Sequence, residues 1–446
     1  MTDSTAAQPT GSTRTLLKER DSAGQVVSTV RRTILPGGLR VVTEQMAGAR
    51  SASAGVWVGV GSRDESPSQS GASHFLEHLL FKGTDTRSAM RISEELDEVG
   101  GEFNAFTARE YTCFHARVLG EDLIRAVDVL GDMITSSKLA KADVEAERTV
   151  ILDEIAMHED DPDSVVNNIL ALQMWGDSAL GRPIAGSAEA IAAMSRAQIV
   201  RYYRTRYRPE NMVLSAAGDV DHAKVVRAAK RAFGRNGFLD DASVRPLAPR
   251  LSDKFRSSRG GAVRETRPFE QVNLVLGFDG VDRNDPRRYP MGVLNAVLGG
   301  GTSSRLFQEI RELRGLAYAV YSFTTHYSDA GAFAVEVGCL PSREAAVLEV
   351  LKAELLRLTV EPITEAELAR AKGQLRGGLV LGMEDAGSRM SRIGKTELMY
   401  REMLGVDEVL ARIDAVTVED VHTLAKEILS AEETLAVVGP PQHITD

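Results

Sequence analysis

Two histidines four residues apart, with a glutamate beside the second, stand out as the chemistry-bearing residues of this chain: His74, Glu77 and His78 in the run Ser-His-Phe-Leu-Glu-His-Leu-Leu-Phe. On a helix, positions three and four apart share a face, so both imidazoles aim at one point with the Glu77 carboxylate on the same arc. That set suits a zinc ion held by two nitrogens, with a carboxylate next to the water the metal binds. It is the mirror spacing of the H-E-x-x-H zinc helix, the H-x-x-E-H arrangement. A catalytic zinc takes three protein ligands and keeps one position open, so one ligand is still missing.

The elements around the motif say where that ligand can come from. A small-residue strand, SASAGVWVGV, runs into a Gly-rich turn and then the motif helix, with Ser70 or Ser73 as N-cap and Gly83 as its stop. Upstream, Gly37-Gly38 divides RRTILP from LRVVTEQ as a hairpin. The third ligand is expected on a remote element packed alongside, and the helix from Ala140 to His158 offers Glu145, Glu147, Asp153 and Glu154, with Glu159 just beyond. Glu147 and Glu154 are two turns apart and share a face, beside the apolar Val150, Ile151 and Ile155. A carboxylate there is costly unless it is paired or ligates a metal. Pattern alone leaves solvated helix charges as an equal alternative.

The chain then repeats itself. VNLVLGFDGV answers SASAGVWVGV, PMGVLNAVLGGGTSS answers SHFLEHLLFKGTDT, and ETLAVVGP answers NMVLSAAGD. A period of roughly 220 residues means two similar domains; a solenoid repeats every 20 to 50. Aligning Gly83-Thr84 with Gly301-Thr302 sets Gly292, Asn295 and Ala296 opposite His74, Glu77 and His78. The second copy cannot hold the metal. The expected division is a disordered tail over 1–28, a zinc-binding domain over 29–234, a Pro-, Gly- and charge-rich linker over 235–265, and a homologous metal-free domain over 266–446.

The totals narrow the class. At 446 residues, 43% hydrophobic and 26% charged, the chain reads as a globular protein of more than one domain. A net charge of −10 argues against nucleic acid or an anionic membrane as partner. Cys113 and Cys339 are too few for a disulfide framework and read as buried thiols. The N-terminus lacks a secretory pattern and no stretch is long and apolar enough to span a membrane, so a cytoplasmic location is expected. His115, His158, His222, His326, His422 and His443 have no partners at ligand spacing.

HFLEHLLFKGT followed by ERTVILDEI resembles the pitrilysin and mitochondrial processing peptidase family of inverted-motif zinc peptidases, in particular its bacterial processing-peptidase-like members. The resemblance covers about Thr33 to Gly439. It implies an α+β fold of two homologous α/β-sandwich domains of the LuxS/MPP-like metallohydrolase type. It implies one Zn²⁺ per chain on His74, His78 and Glu154, the last 154 − 78 = 76 residues after the second histidine. Glu147 matches the glutamate that hydrogen-bonds a ligand histidine, and its opposite numbers in the second copy are Ala371 for Glu147 and Gly378 for Glu154. Arg311 and Tyr318 match residues that meet the substrate, with Tyr318 as oxyanion donor. Asn104, Ala105 and Phe106 match an edge strand to which extended peptide adds. The implied activity is a zinc metalloendopeptidase for unfolded or presequence-like peptides, with Glu77 as general base and a homodimer forming a closed chamber. Its rivals are a non-catalytic assembly subunit and a peptidase dedicated to one peptide precursor.

Overall fold

The protein is described from a computed structural model covering residues 8–252 and 255–441. The first half gives strands β1 (Thr13–Arg20), β2 (Val26–Ile34), β3 (Arg40–Met46) and β4 (Ser51–Val58), then helices α1 (Ala72–Leu79) and α2 (Ala89–Glu98). Strands β5 (Glu102–Thr107) and β6 (Thr112–Leu119) precede α3 (Leu123–Ser136), α4 (Lys141–Glu159), α5 (Pro162–Trp175), α6 (Ala188–Ala193) and α7 (Arg196–Arg206). β7 (Met212–Gly218) and α8 (His222–Phe233) close it. The second half runs β8 (Gly261–Thr266), β9 (Val272–Asp279), α9 (Arg288–Leu298), β10 (Ala317–His326), β11 (Gly331–Cys339), α10 (Glu344–Val360) and α11 (Glu365–Gly382). It ends with α12 (Ala386–Met399), α13 (Val406–Asp414), α14 (Val418–Leu429) and β12 (Thr434–Gly439).

Two mixed sheets result, one in each of two compact units. The unit 1 order is β1-β2-β3-β7-β4-β6-β5 and the unit 2 order is β10-β11-β9-β12-β8. Reversed, the second order reproduces β3-β7-β4-β6-β5, including one parallel pair in each, β3 with β7 and β8 with β12. The duplication read from the sequence is therefore a duplicated sheet, to which unit 1 adds β1 and β2. The Gly37-Gly38 turn joins β2 to β3 as an antiparallel hairpin, with φ of 74° and 82° that favour glycine.

The units differ from the continuous domains expected. Unit 1 takes the chain up to Ile155, then Pro183–Arg250 and Leu381–Gly405; unit 2 takes Ala156–Arg182, Leu251–Val380 and Val406 onward. The exchange has a physical cause in the sheets. Central strands β4 and β7 are buried on both faces, so each sheet needs a helical cover on two sides. On unit 1, one face packs Val56, Phe114 and Leu214 against Phe75, Leu76 and Leu130. Its other face packs Val42, Trp57 and Val213 against Met390, Ile393 and Leu398 of α12. On unit 2, α5 supplies Val166, Leu170 and Met174 to Val275, Ala334 and Ala436.

Helix α12 is seated closely. A Cβ on Gly394 would meet the Trp57 indole nitrogen at 2.2 Å. The buried Arg32 guanidinium pairs with Glu397 at 3.0 Å, and Arg389 pairs with the buried Glu44.

Two further expectations change. The tail over 1–28 is a strand from Thr13, because β1 pairs along β2 with one face left to solvent, which gives it a polar, unpatterned sequence; residues 1–7 lie outside the described residues. The linker over 235–265 belongs with unit 1 up to Arg250: the Gly37 N–H bonds Asp241 O at 2.7 Å and the Leu247 N–H bonds Glu210 O at 2.8 Å. Its C-terminal end is the strand β8. Both cysteines are free and buried, and His443 lies outside the described residues.

Candidate metal centre

The motif helix begins at Ala72, after Gly71 in the left-handed conformation (φ 89°). Its orphan amides are met from a distance, since the Glu65 carboxylate accepts the Gly71 N–H at 2.8 Å and the Ser73 N–H at 2.7 Å. Neither expected serine caps it, and the Ser73 hydroxyl instead bonds Tyr202 Oη at 2.7 Å. Phe75, Leu76 and Leu79 are buried in the core and fix the helix's rotation. His74 and His78 then stand as neighbours, ring centroids 4.7 Å apart and edge to face.

Helix α4 delivers the carboxylate. Glu154 Oε2 lies 3.6 Å from His74 Nε2 and 3.5 Å from His78 Nε2. Among the described residues, these three form the one group of His, Cys, Asp or Glu side chains whose ligand atoms converge, all within 4.8 Å of one another. Donors bonded at about 2.0–2.1 Å to a tetrahedral zinc stand about 3.3 Å apart, so the two spacings to Glu154 match a zinc site slightly expanded. Two imidazoles and one carboxylate leave one position open, and three acceptor atoms facing one another want a positive charge between them. The residues fit the metal.

Around them sit four groups with defined contacts. Glu147, buried on α4, places Oε2 at 3.2 Å from His78 Nδ1 and Oε1 at 2.7 Å from Lys82 Nζ. With a proton on Nδ1 shared with Glu147, the His78 lone pair is on Nε2, facing Glu154. Glu77 accepts a 2.6 Å hydrogen bond from Thr107 Oγ1. Burial pushes the Glu77 carboxyl above its ordinary value, opposed by the Thr107 hydrogen bond and the nearby His78. The sequence pattern assigns no role to Lys82 and places Thr107 only on the edge strand, not beside Glu77. Lys82 was signalled by lying four residues past His78, and Thr107 by alternating with Phe103 and Ala105 on β5.

The remaining candidates fall as follows. Asn104, Ala105 and Phe106 lie on β5, which is an edge of its sheet, and Asn104 Oδ1 accepts the Ala105 N–H at 2.8 Å. Arg311 and Tyr318 belong to unit 2, where the guanidinium stacks 4.3 Å from the Tyr318 ring centre and 4.7 Å from that of Phe307, and donates to Tyr318 O at 3.2 Å. Tyr318 is 80% exposed, and Arg311 sits in a π-helical stretch, Phe307–Leu313. Gly292, Asn295 and Ala296 fall on α9, and Ala371 and Gly378 on α11, so the repeat brings no ligand set to those helices.

Comparison with known proteins decides the family. The chain is 50% identical over 437 residues to an uncharacterized zinc protease of Streptomyces coelicolor, covering 98% of this chain and 94% of the relative. The insulinase (peptidase family M16) profile matches residues 40–188, and the peptidase M16 inactive domain profile matches 193–375. The chain belongs to the insulinase family, M16. It is a metallopeptidase of that family. Other M16 relatives are uncharacterized zinc proteases of Mycobacterium tuberculosis, 49% identical over 92% of this chain and 93% of the relative, and of Bacillus subtilis, 37% identical over 92% and 98%. The M16 fold is matched by a protease from Helicobacter pylori, with a TM-score of 0.84 at 22% identity over 93% of this chain and 100% of that one. A peptidase M16 inactive domain from Pseudomonas fluorescens matches with a TM-score of 0.83 at 19% identity, over 92% and 98%. Among the described residues, no helix is long and apolar enough to cross a membrane.

Proposed function

We infer that this chain is a zinc endopeptidase for extended, unfolded peptides, with the metal on His74, His78 and Glu154 and Glu77 as the general base. The observation that carries the reading is the convergence of those three donor atoms within 4.8 Å. Zinc held there would act as a Lewis acid and lower the pKa of a water it binds toward about 7. Glu77 takes the proton of the attacking water and returns it to the leaving amine. The Thr107 hydroxyl holds the Glu77 carboxylate in place by its hydrogen bond to Oε2. Glu147 orients His78.

The substrate side of the reading rests on β5. An edge strand recognises peptide backbone and accepts many sequences, and peptide bound there would compete for the Ala105 N–H that Asn104 now occupies. Tyr318 and Arg311 take the roles the resemblance implies, donation to the developing oxyanion and a hold on a substrate carbonyl. A homodimer and a cytoplasmic, processing-peptidase-like role complete the proposal.

The test is hydrolysis of a mixed peptide library scored by mass spectrometry, with and without chelator. Internal cleavages that chelator stops and Zn²⁺ restores are expected. Cleavage indifferent to chelator, or none at all, rejects the reading; the second outcome favours an assembly subunit.

A further inference from the structure

The two helices of the metal centre meet as a ladder with one rung beyond the metal. His74, His78 and Lys82 follow one another at four-residue steps along α1 and its short helical extension. Opposite them, Glu154 faces the two Nε2 atoms, while Glu147 faces His78 Nδ1 with one oxygen and Lys82 Nζ with the other. The Glu147 side chain is 7% exposed and that of Lys82 39%.

We propose that Lys82 is a positioning residue for the metal: its ammonium pins Glu147, which in turn holds the His78 imidazole with its Nε2 lone pair on the site. This rests on the zinc reading above. A terminal carboxylate torsion is broad, so one hydrogen bond leaves the group free to turn. Two partners on two different oxygens fix its plane. Glu147 is also buried, and a buried carboxylate left without a partner is costly. The Lys82 charge further offsets one of three carboxylates, Glu77, Glu147 and Glu154, gathered around two histidines. Without the ammonium, Oε1 loses this partner and the rung to His78 loosens. Groups that orient a ligand histidine are worth 10–100-fold in metal affinity, and Lys82 acts one step further out.

The experiment measures Zn²⁺ affinity by competition with a chromophoric chelator, and zinc release into EDTA, for the full chain and its variants. Lys82→Met is expected to weaken binding about 10-fold and speed release. Lys82→Arg restores most of both. In a Glu147→Gln background, Lys82→Met weakens binding no further, because the two act as one unit. Unchanged affinity in Lys82→Met, or an undiminished effect in the Glu147→Gln background, overturns the proposal. So does equal loss in both lysine variants with lowered melting of the zinc-free chain, which marks a folding effect. Tight zinc retained in His74→Ala overturns the site reading itself, whereas zinc lost in His74→Ala and untouched in Lys82→Met overturns only the role of Lys82.

Discussion

Thr107, on the edge strand β5, donates its hydroxyl hydrogen to Glu77 on the motif helix across 2.6 Å. The strand read as the peptide platform and the residue read as the proton carrier are thereby joined through Thr107. Thr107→Val keeps the shape and removes the donor. A hydrogen bond to a charged group is worth about 1.5–3 kcal/mol, so kcat is expected to fall about 10-fold or more, with KM and zinc content little changed. Steady-state kinetics beside metal analysis check this; a change confined to KM would place Thr107 in peptide binding alone.

Glu154 is the third donor of the converging set. Glu154→Ala leaves two histidines, and the chain is expected to lose most of its zinc at micromolar concentrations, measured as zinc per chain after gel filtration. Unchanged stoichiometry would mean that the metal sits elsewhere.

How much of this was legible beforehand depends on what each residue answers to. His74, Glu77 and His78 were readable because a helix converts spacing into direction, and the apolar Phe75, Leu76 and Leu79 fix which way that face points. Glu154 was readable only as one of several acidic candidates on α4, because helical spacing orders residues along one element and not across two. The exchange of α5 and α12 was not legible. Met390, Ile393 and Leu398 mark an apolar face, but periodicity does not say which sheet that face covers. The caps misled for a similar reason: Glu65 reaches the α1 amides from a separate turn, where no local pattern points to it.

The buried pair Arg32–Glu397 ties α12 to its sheet. Glu397→Ala leaves a buried guanidinium without its carboxylate, and a loss of about 3–5 kcal/mol is expected. Replacing both residues by methionine costs much less, since no uncompensated charge remains. Urea denaturation of both variants distinguishes the two cases; equal losses would contradict the account.

His222 lies between the Thr33 and Thr43 hydroxyls, 2.8 Å from each, and burial pushes its pKa down to about 4. The unfolded chain, with an ordinary value of about 6.5, binds a proton that the folded chain refuses. The stability is therefore full above about pH 6.5 and declines as pH falls toward 4. A loss on the order of 2 kcal/mol is expected across that window, allowing for partial solvent access. Denaturation midpoints at pH 7 and pH 5 should differ less in His222→Gln than in the unaltered chain, and equal differences would count against it.

The central claim is that Glu77 moves the proton while His74, His78 and Glu154 hold the metal. Its most direct test is Glu77→Gln, assayed for peptide hydrolysis and bound zinc in the same preparation. Zinc content equal to that of the unaltered chain is expected, with hydrolysis reduced by about 10²–10⁴-fold, the range a general base supplies. Hydrolysis retained at the unaltered rate, with zinc still bound, would contradict it.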